Sequence, residues 1–171
     1  MEDTLNLVIS SGKLKKIKRT GWLNKGIKDC ESVADHSYRT SVLVMLFSEK
    51  LSLDTEKMLK MALIHDLVEA ETGDILSHEK NDFEEEKEIA QKLFSGFSEY
   101  YSLWEEFEKG KTEEAKILKQ LDKIEMLIQA FEYEKEGVKG LEEFWERNRD
   151  KITHPLLKEF LEEIERKKNL E

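Results

Sequence analysis

An all-α architecture of seven or eight helices in a single domain is predicted by three features of the sequence. One Pro and eight Gly among 171 residues leave little to punctuate the chain. Apolar residues recur three and four apart along nearly the whole length, the spacing of one helix face. No segment alternates apolar and polar residues with the β-branched enrichment of a strand, so no sheet is expected.

The elements follow in order. A first helix is read over about residues 3–14. The basic stretch Lys15 to Arg19 leads into Thr20-Gly21-Trp22, and Gly21 and Gly26 mark a loop. Ser32 is placed to cap a second helix running to about Lys50, with Val33, Thr40, Val44 and Phe47 on its apolar stripe and His36 among them. Asp54 is placed to cap a third, carrying Leu59, Ala62, Leu63 and Leu67, with His65-Asp66 near its end. Glu71 to Asp74 reads as a turn. Helices over about 82–96 and 98–109 come next. Thr112 caps a long helix to about Gly137, with Ile117, Leu121, Ile124, Ile128 and Phe131 on one side and Asp122 within it. Gly137 and Gly140 end it. A helix over 141–149 and a last one after Pro155, a residue suited to a first helical turn, complete the chain. One domain is therefore expected over 1–171, with a core over 5–135 and the C-terminal helices of 138–170 packed on it.

Composition bounds the function. Hydrophobic and charged residues each make up 39%, enough for a core under a highly charged surface. The charge runs Glu84 to Glu88, Lys111 to Lys116 and Glu162 to Lys168 read as solvated helix faces. A formal net charge of -10 argues against a nucleic acid polymer as partner, since polyanion binding draws on a basic surface. A small phosphorylated substrate stays compatible, because a metal or a few local cations override the global field. Cys30 is the lone cysteine, so no intramolecular disulfide forms. The first residues are acidic and polar, and the longest apolar stretches, such as Val42 to Phe47, are too short for a bilayer. A cytoplasmic protein without membrane contact is expected.

The chemistry centres on two of the four histidines. His36 lies on an apolar stripe. His65 is followed by Asp66, and Glu69, one turn on, shares its face. Asp66 is rotated by about 100° but reaches a shared centre from the helix end. Asp122 sits between Leu121 and Ile124. Carboxylates this close to apolar stripes are costly if buried unpaired. An arginine, exposure at a cleft, or a divalent cation would each compensate. Two imidazoles with two carboxylates suit Mn, Co, Fe, Ni or Zn better than Ca or Mg alone. Every residue also has an ordinary reading: Arg19 as a surface cation, Trp22 as a core plug, Glu69 as a helix-end carboxylate, Asp74 as a turn residue bonded to its own backbone. Glu125, one turn from Asp122, either supports a ligand or is solvated. His78, in a polar loop, and His154, beside a cap, are read as non-catalytic, and Cys30 as no nucleophile.

The words around these residues resemble a known family. Arg19-Thr20-Gly21-Trp22, Glu31-Ser32-Val33-Ala34-Asp35-His36-Ser37, His65-Asp66-Leu67-Val68-Glu69, Gly73-Asp74-Ile75 and Gln120-Leu121-Asp122-Lys123-Ile124-Glu125 resemble the 5'-deoxynucleotidases of the HD superfamily, over about residues 5–135. The resemblance implies a helical HD bundle and metal-dependent hydrolysis of deoxyribonucleoside 5'-monophosphates. It implies a divalent cation (Mn, Co, Zn, Ni or Fe) on His36, His65, Asp66 and Asp122. Glu69 and Asp74 match acidic residues implicated in catalysis, and in some relatives in holding a second cation, Mg among the options, beside Ile75. Arg19 matches a contact to the substrate phosphate, Trp22 an aromatic that shapes the sugar pocket, and a homodimer is implied. In part of the family the Trp directly follows the Arg, whereas here Thr20 and Gly21 intervene; the metal site is carried over more directly than discrimination against a 2'-hydroxyl. The alternatives are an HD phosphohydrolase acting on a cyclic nucleotide, a nucleoside triphosphate or a regulatory nucleotide, and a helical dimerisation module with a structural metal.

Overall fold

The computed structural model describes residues 1–75 and 83–170. His78 lies outside them. Eight helices of eight or more residues are formed among the described residues: α1 (Glu2–Lys13), α3 (Val33–Lys50), α4 (Thr55–Ile64), α6 (Phe83–Leu93), α7 (Ser98–Lys109), α8 (Glu113–Lys135), α9 (Glu142–Arg149) and α10 (Pro155–Leu170). Two single turns, α2 (Thr20–Leu23) and α5 (Glu69–Thr72), fall where loop and turn were expected. The described residues contain no strand beyond one isolated antiparallel bridge, Lys18 with Ser32.

Local chemistry sets the helix starts. The Ser32 hydroxyl accepts from the Asp35 N–H at 3.2 Å, and the Asp35 carboxylate accepts from the Ser32 N–H at 2.8 Å, a reciprocal cap that fixes where α3 begins. Asp54 and Thr112 accept from the N–H groups of Lys57 and Ala115 and start α4 and α8. Gly110, at φ 57°, ends α7 in the left-handed conformation that glycine takes without a Cβ clash.

The centre of the fold is α8. At 23 residues it is about 35 Å long, and Leu118, Leu121, Ile124 and Leu127 are fully buried along it. Helices α3, α4, α7, α9 and α10 all pack on it, and α3 also lies along α4. One cluster of buried apolar side chains runs from Leu14 to Ile164, so α9 and α10 share the core of the preceding helices.

Two expectations about faces are corrected. Leu63 is 59% exposed; Ala62 and Leu67 are buried as expected, but the rest of the buried face of α4 is Met58, Met61 and Ile64. In the run Glu84 to Glu88, Glu86 is buried; its neighbours point outward, and a carboxylate one turn along an amphipathic helix has rotated onto the apolar side. The expected stripe of α3 holds: Val33, His36, Thr40, Val44 and Phe47 are all buried.

Candidate metal centre and its cleft

Three segments converge on one point. His36, fully buried on α3, faces α8, with its Nε2 3.0 Å from Asp122 Oδ1 and 3.6 Å from Asp66 Oδ2. His65 closes α4, and its Nε2 lies 3.2 Å from the same Asp66 oxygen. After Ile64 the backbone tightens, with Leu67 N–H donating to Ile64 O at 3.0 Å and Glu69 N–H to Asp66 O at 3.0 Å. These i to i−3 bonds wind the chain more steeply than an α-helix and bring the Asp66 carboxylate round beside His65. The donor atoms of His36, His65 and Asp66 lie within 4.8 Å of one another. Asp122 joins through His36, and its second oxygen takes the Lys123 ammonium at 2.9 Å.

Both imidazoles are oriented from behind. His65 Nδ1 bonds the Ala62 carbonyl at 2.7 Å, and His36 Nδ1 bonds Glu125. Each Nε2 therefore points inward, and both are buried with no hydrogen-bond partner. An unsatisfied buried imidazole nitrogen is costly, and two facing the same pair of carboxylates are the donor set that a divalent transition metal takes. The electrostatics agree. Burial and Arg19 push the His36 imidazolium down, yet Glu125 and Asp122 outweigh them and hold it up at about 10. Burial also works against ionised Asp66 and Asp122; His65 and Arg19 hold the first below the usual carboxylate range, and Lys123 and His36 the second. The carboxylates demand a positive charge at this point, and a cation supplies it without the proton.

Glu125, read from sequence as either supporting or solvated, is fully buried and supports His36. It is gripped in turn by Arg39 Nε at 2.8 Å, while the Arg39 fork reaches Gln129 at 2.5 Å and Glu132 at 2.6 Å. Sequence reasoning missed Arg39; its place one turn after His36 was the available signal.

Arg19 emerges as a clamp. Its Nη1 lies 2.8 Å from Asp74, 3.5 Å from Asp66 and 3.9 Å from Glu69. The backbone N–H of Thr20 donates to the other Asp74 oxygen, and the Thr20 hydroxyl donates to the Asp74 carbonyl at 2.5 Å. Both Asp74 oxygens are thus engaged. Those of Glu69 are not: burial and Asp66 push its carboxyl up to about 10, and its Oε2 has no hydrogen-bond partner. The Arg19 Nη1 atom thus lies within reach of both Asp74 and Glu69.

A cleft of about 960 Å³ opens over this centre, with Asp66, Glu69, Asp74, Ile75 and Asp122 at one end and Arg19 beside them. Trp22 is only 1% exposed. It stacks on Phe144 of α9, with ring centroids 4.3 Å apart, and donates to Glu31 at 2.8 Å. The intervening Thr20 and Gly21 belong to the turn α2, which carries the indole into the core, where it and Phe144 both line the cleft.

The model of the HD domain family matches residues 11–165. This chain belongs to the HD domain family. The HD chain is 37% identical to the 5'-deoxynucleotidase HDDC2 of Dictyostelium discoideum over 186 residues, covering 96% of this chain and 98% of the relative. It is 40% identical to the 5'-deoxynucleotidase HDDC2 of Danio rerio, covering 95% and 88%. Among solved structures, a conserved hypothetical protein from Pyrococcus furiosus superposes with a TM-score of 0.85 at 40% identity, over 95% of the HD chain and 99% of that chain. A predicted metal-dependent phosphohydrolase from Magnetospirillum magnetotacticum gives 0.76 at 26% identity, over 98% and 91%. The HD fold expected from the sequence is the fold observed.

Proposed function

We propose that this chain is a metal-dependent phosphomonoester hydrolase that converts deoxyribonucleoside 5'-monophosphates to deoxyribonucleoside and phosphate, with His36, His65, Asp66 and Asp122 holding the divalent cation. The observation that carries it is the pair of buried, unpartnered Nε2 atoms beside two carboxylates at one end of an open cleft. The relatives named 5'-deoxynucleotidase supply the substrate class. The open cleft favours catalysis over a structural metal, which is closed in on all sides.

When bound, such a cation polarises the phosphate and makes water acidic enough to attack at neutral pH. The chain's own residues do the rest. Arg19, held by Asp74, keeps a guanidinium beside the phosphate and balances the carboxylate charge of Asp66. Glu69, buried beside the centre with its Oε2 unpartnered, is placed to give a proton to the leaving 5'-oxygen. Phe144 offers an apolar wall to the nucleoside.

The test is phosphate release from deoxy- and ribonucleoside monophosphates by protein stripped with chelator and reloaded with Mn, Co, Zn, Ni, Fe or Mg. Release restored by metal, and confined largely to the deoxy substrates, is expected. No release with any metal from any monophosphate overturns the assignment and turns attention to cyclic nucleotides and triphosphates.

We also propose a homodimer. On α1, Leu5, Val8 and Ile9 form one face and are 60%, 62% and 57% exposed. On α3, Tyr38, Met45 and Leu46 are 72%, 46% and 51% exposed. Large apolar side chains concentrated on two helices mark a surface that a partner covers. Light scattering is expected to give twice the 20.2 kDa chain mass; a monomer at micromolar concentration rejects the dimer.

A further inference from the structure

The cleft holds more than the metal centre. Its lining also includes Lys123 of α8, Lys25 after α2, Arg147 of α9 and Lys151 in the turn that follows. This is an unusual concentration for a chain of net charge -10. Two carboxylates meet the four cations. Asp122 takes Lys123 at 2.9 Å, and Glu143 takes Lys25 at 2.9 Å together with Arg147. Lys151 forms no ion pair among the described residues; its ammonium reaches only Asn148 Oδ1, at 3.4 Å. Burial and the facing charges of Lys123 and Arg147 push the Lys151 ammonium down from its ordinary value, so the cluster repels itself as it stands. The surplus there is two positive charges, and it grows when Asp122 turns to a metal. A phosphomonoester carries close to two negative charges at neutral pH.

We infer that Lys123, Arg147 and Lys151 form a phosphate-binding wall of this cleft, additional to Arg19, which grips the phosphate group of the substrate and of the inorganic phosphate product. The inference rests on the phosphohydrolase reading above and deepens it. Arg19 already answers to Asp66, Glu69 and Asp74 through one terminal nitrogen, so a dianion arriving in the cleft finds a less committed positive charge at Lys151. Helix α9 then serves both halves of the substrate, with Phe144 for the nucleoside and Arg147 for the phosphate on one eight-residue element.

The test uses Lys151→Met and Arg147→Met, neither of which touches a proposed metal ligand. With metal-loaded protein and deoxyadenosine monophosphate, each is expected to raise KM about fivefold to tenfold with kcat within about twofold, the size of a lost charge-assisted contact that is partly solvated. The inhibition constant for inorganic phosphate rises in parallel, the double variant shows both effects multiplied, and Lys151→Arg restores most of the loss. Metal content and melting midpoint stay at wild-type values. A double variant whose KM and phosphate inhibition constant both stay within about twofold of wild type rejects the wall. Should wild-type protein cleave no nucleotide, the assigned function fails, yet calorimetric titration of the metal-loaded proteins with inorganic phosphate still decides the inference. Weakened binding in the double variant upholds it, and identical or absent binding in both proteins sinks it.

Discussion

Alanine at His65 or at Asp122 is expected to remove the bound metal and the phosphatase activity together, with turnover falling at least about 10³-fold, the several kcal/mol that a catalytic cation supplies. The two side chains act from different helices, His65 at the end of α4 and Asp122 inside α8, so a common loss locates the centre between them. The folded state should report it too. A ligand that binds only the native protein stabilises it by about 2.7 kcal/mol at a hundred times its dissociation constant. Chelator is therefore expected to lower the melting midpoint of wild type and to leave both variants unmoved. Asp122→Asn keeps the volume and separates lost coordination from a cavity. Stoichiometric metal in Asp122→Ala, measured by elemental analysis, would show that the ligand set is wrong. Arg19→Ala is the contrasting variant. It breaks a partly buried cluster of three carboxylates around one guanidinium, so a drop in stability accompanies weaker phosphate binding while the metal stays.

The helices were legible because their signals are local. Ser32 with Asp35, Asp54 and Thr112 mark starts that depend on residues three apart, and the structure places the caps on those residues. The convergence of His36, His65, Asp66 and Asp122 was reached through the family motifs around them; spacing alone left arginine, exposure and a metal as equal answers. What stayed hidden depends on rotation and on long-range pairing. The buried face of α4 runs through Met58 and Met61 because α3 and α7 approach it from that side, and nothing in the periodicity of Leu59 and Leu63 says so. Trp22 read equally well as a core plug and as a pocket wall; it is buried in a stack with Phe144, 122 positions away, and both rings line the cleft. Arg39 reaches Glu125 and Glu132 across the α3–α8 contact, a pairing visible once the two helices are laid together.

Glu69→Gln is expected to lower kcat on deoxyribonucleoside monophosphates by about 10² to 10⁴, the range of a lost general acid. Glu69 and Asp74 were equal candidates for that role from sequence, and their surroundings separate them. Asp74 accepts from Arg19 and Thr20 with both oxygens, which makes it a support for the guanidinium. Glu69 is buried beside Asp66, which pushes its carboxyl up to about 10, and one oxygen stays unpartnered at the edge of the cleft. Glu69, pushed up and with a free oxygen, takes the role of donor, and Asp74, tied to Arg19 and Thr20, that of support. Glutamine preserves shape and a hydrogen bond but has no proton to transfer. A substrate whose leaving group needs none, such as p-nitrophenyl phosphate, is therefore expected to lose far less than the nucleotide when both are assayed with the same metal-loaded variant. Equal losses on the two substrates would assign Glu69 to holding charge at the centre, with Arg19 or a second cation, and the leaving 5'-oxygen would then draw its proton from elsewhere in the cleft.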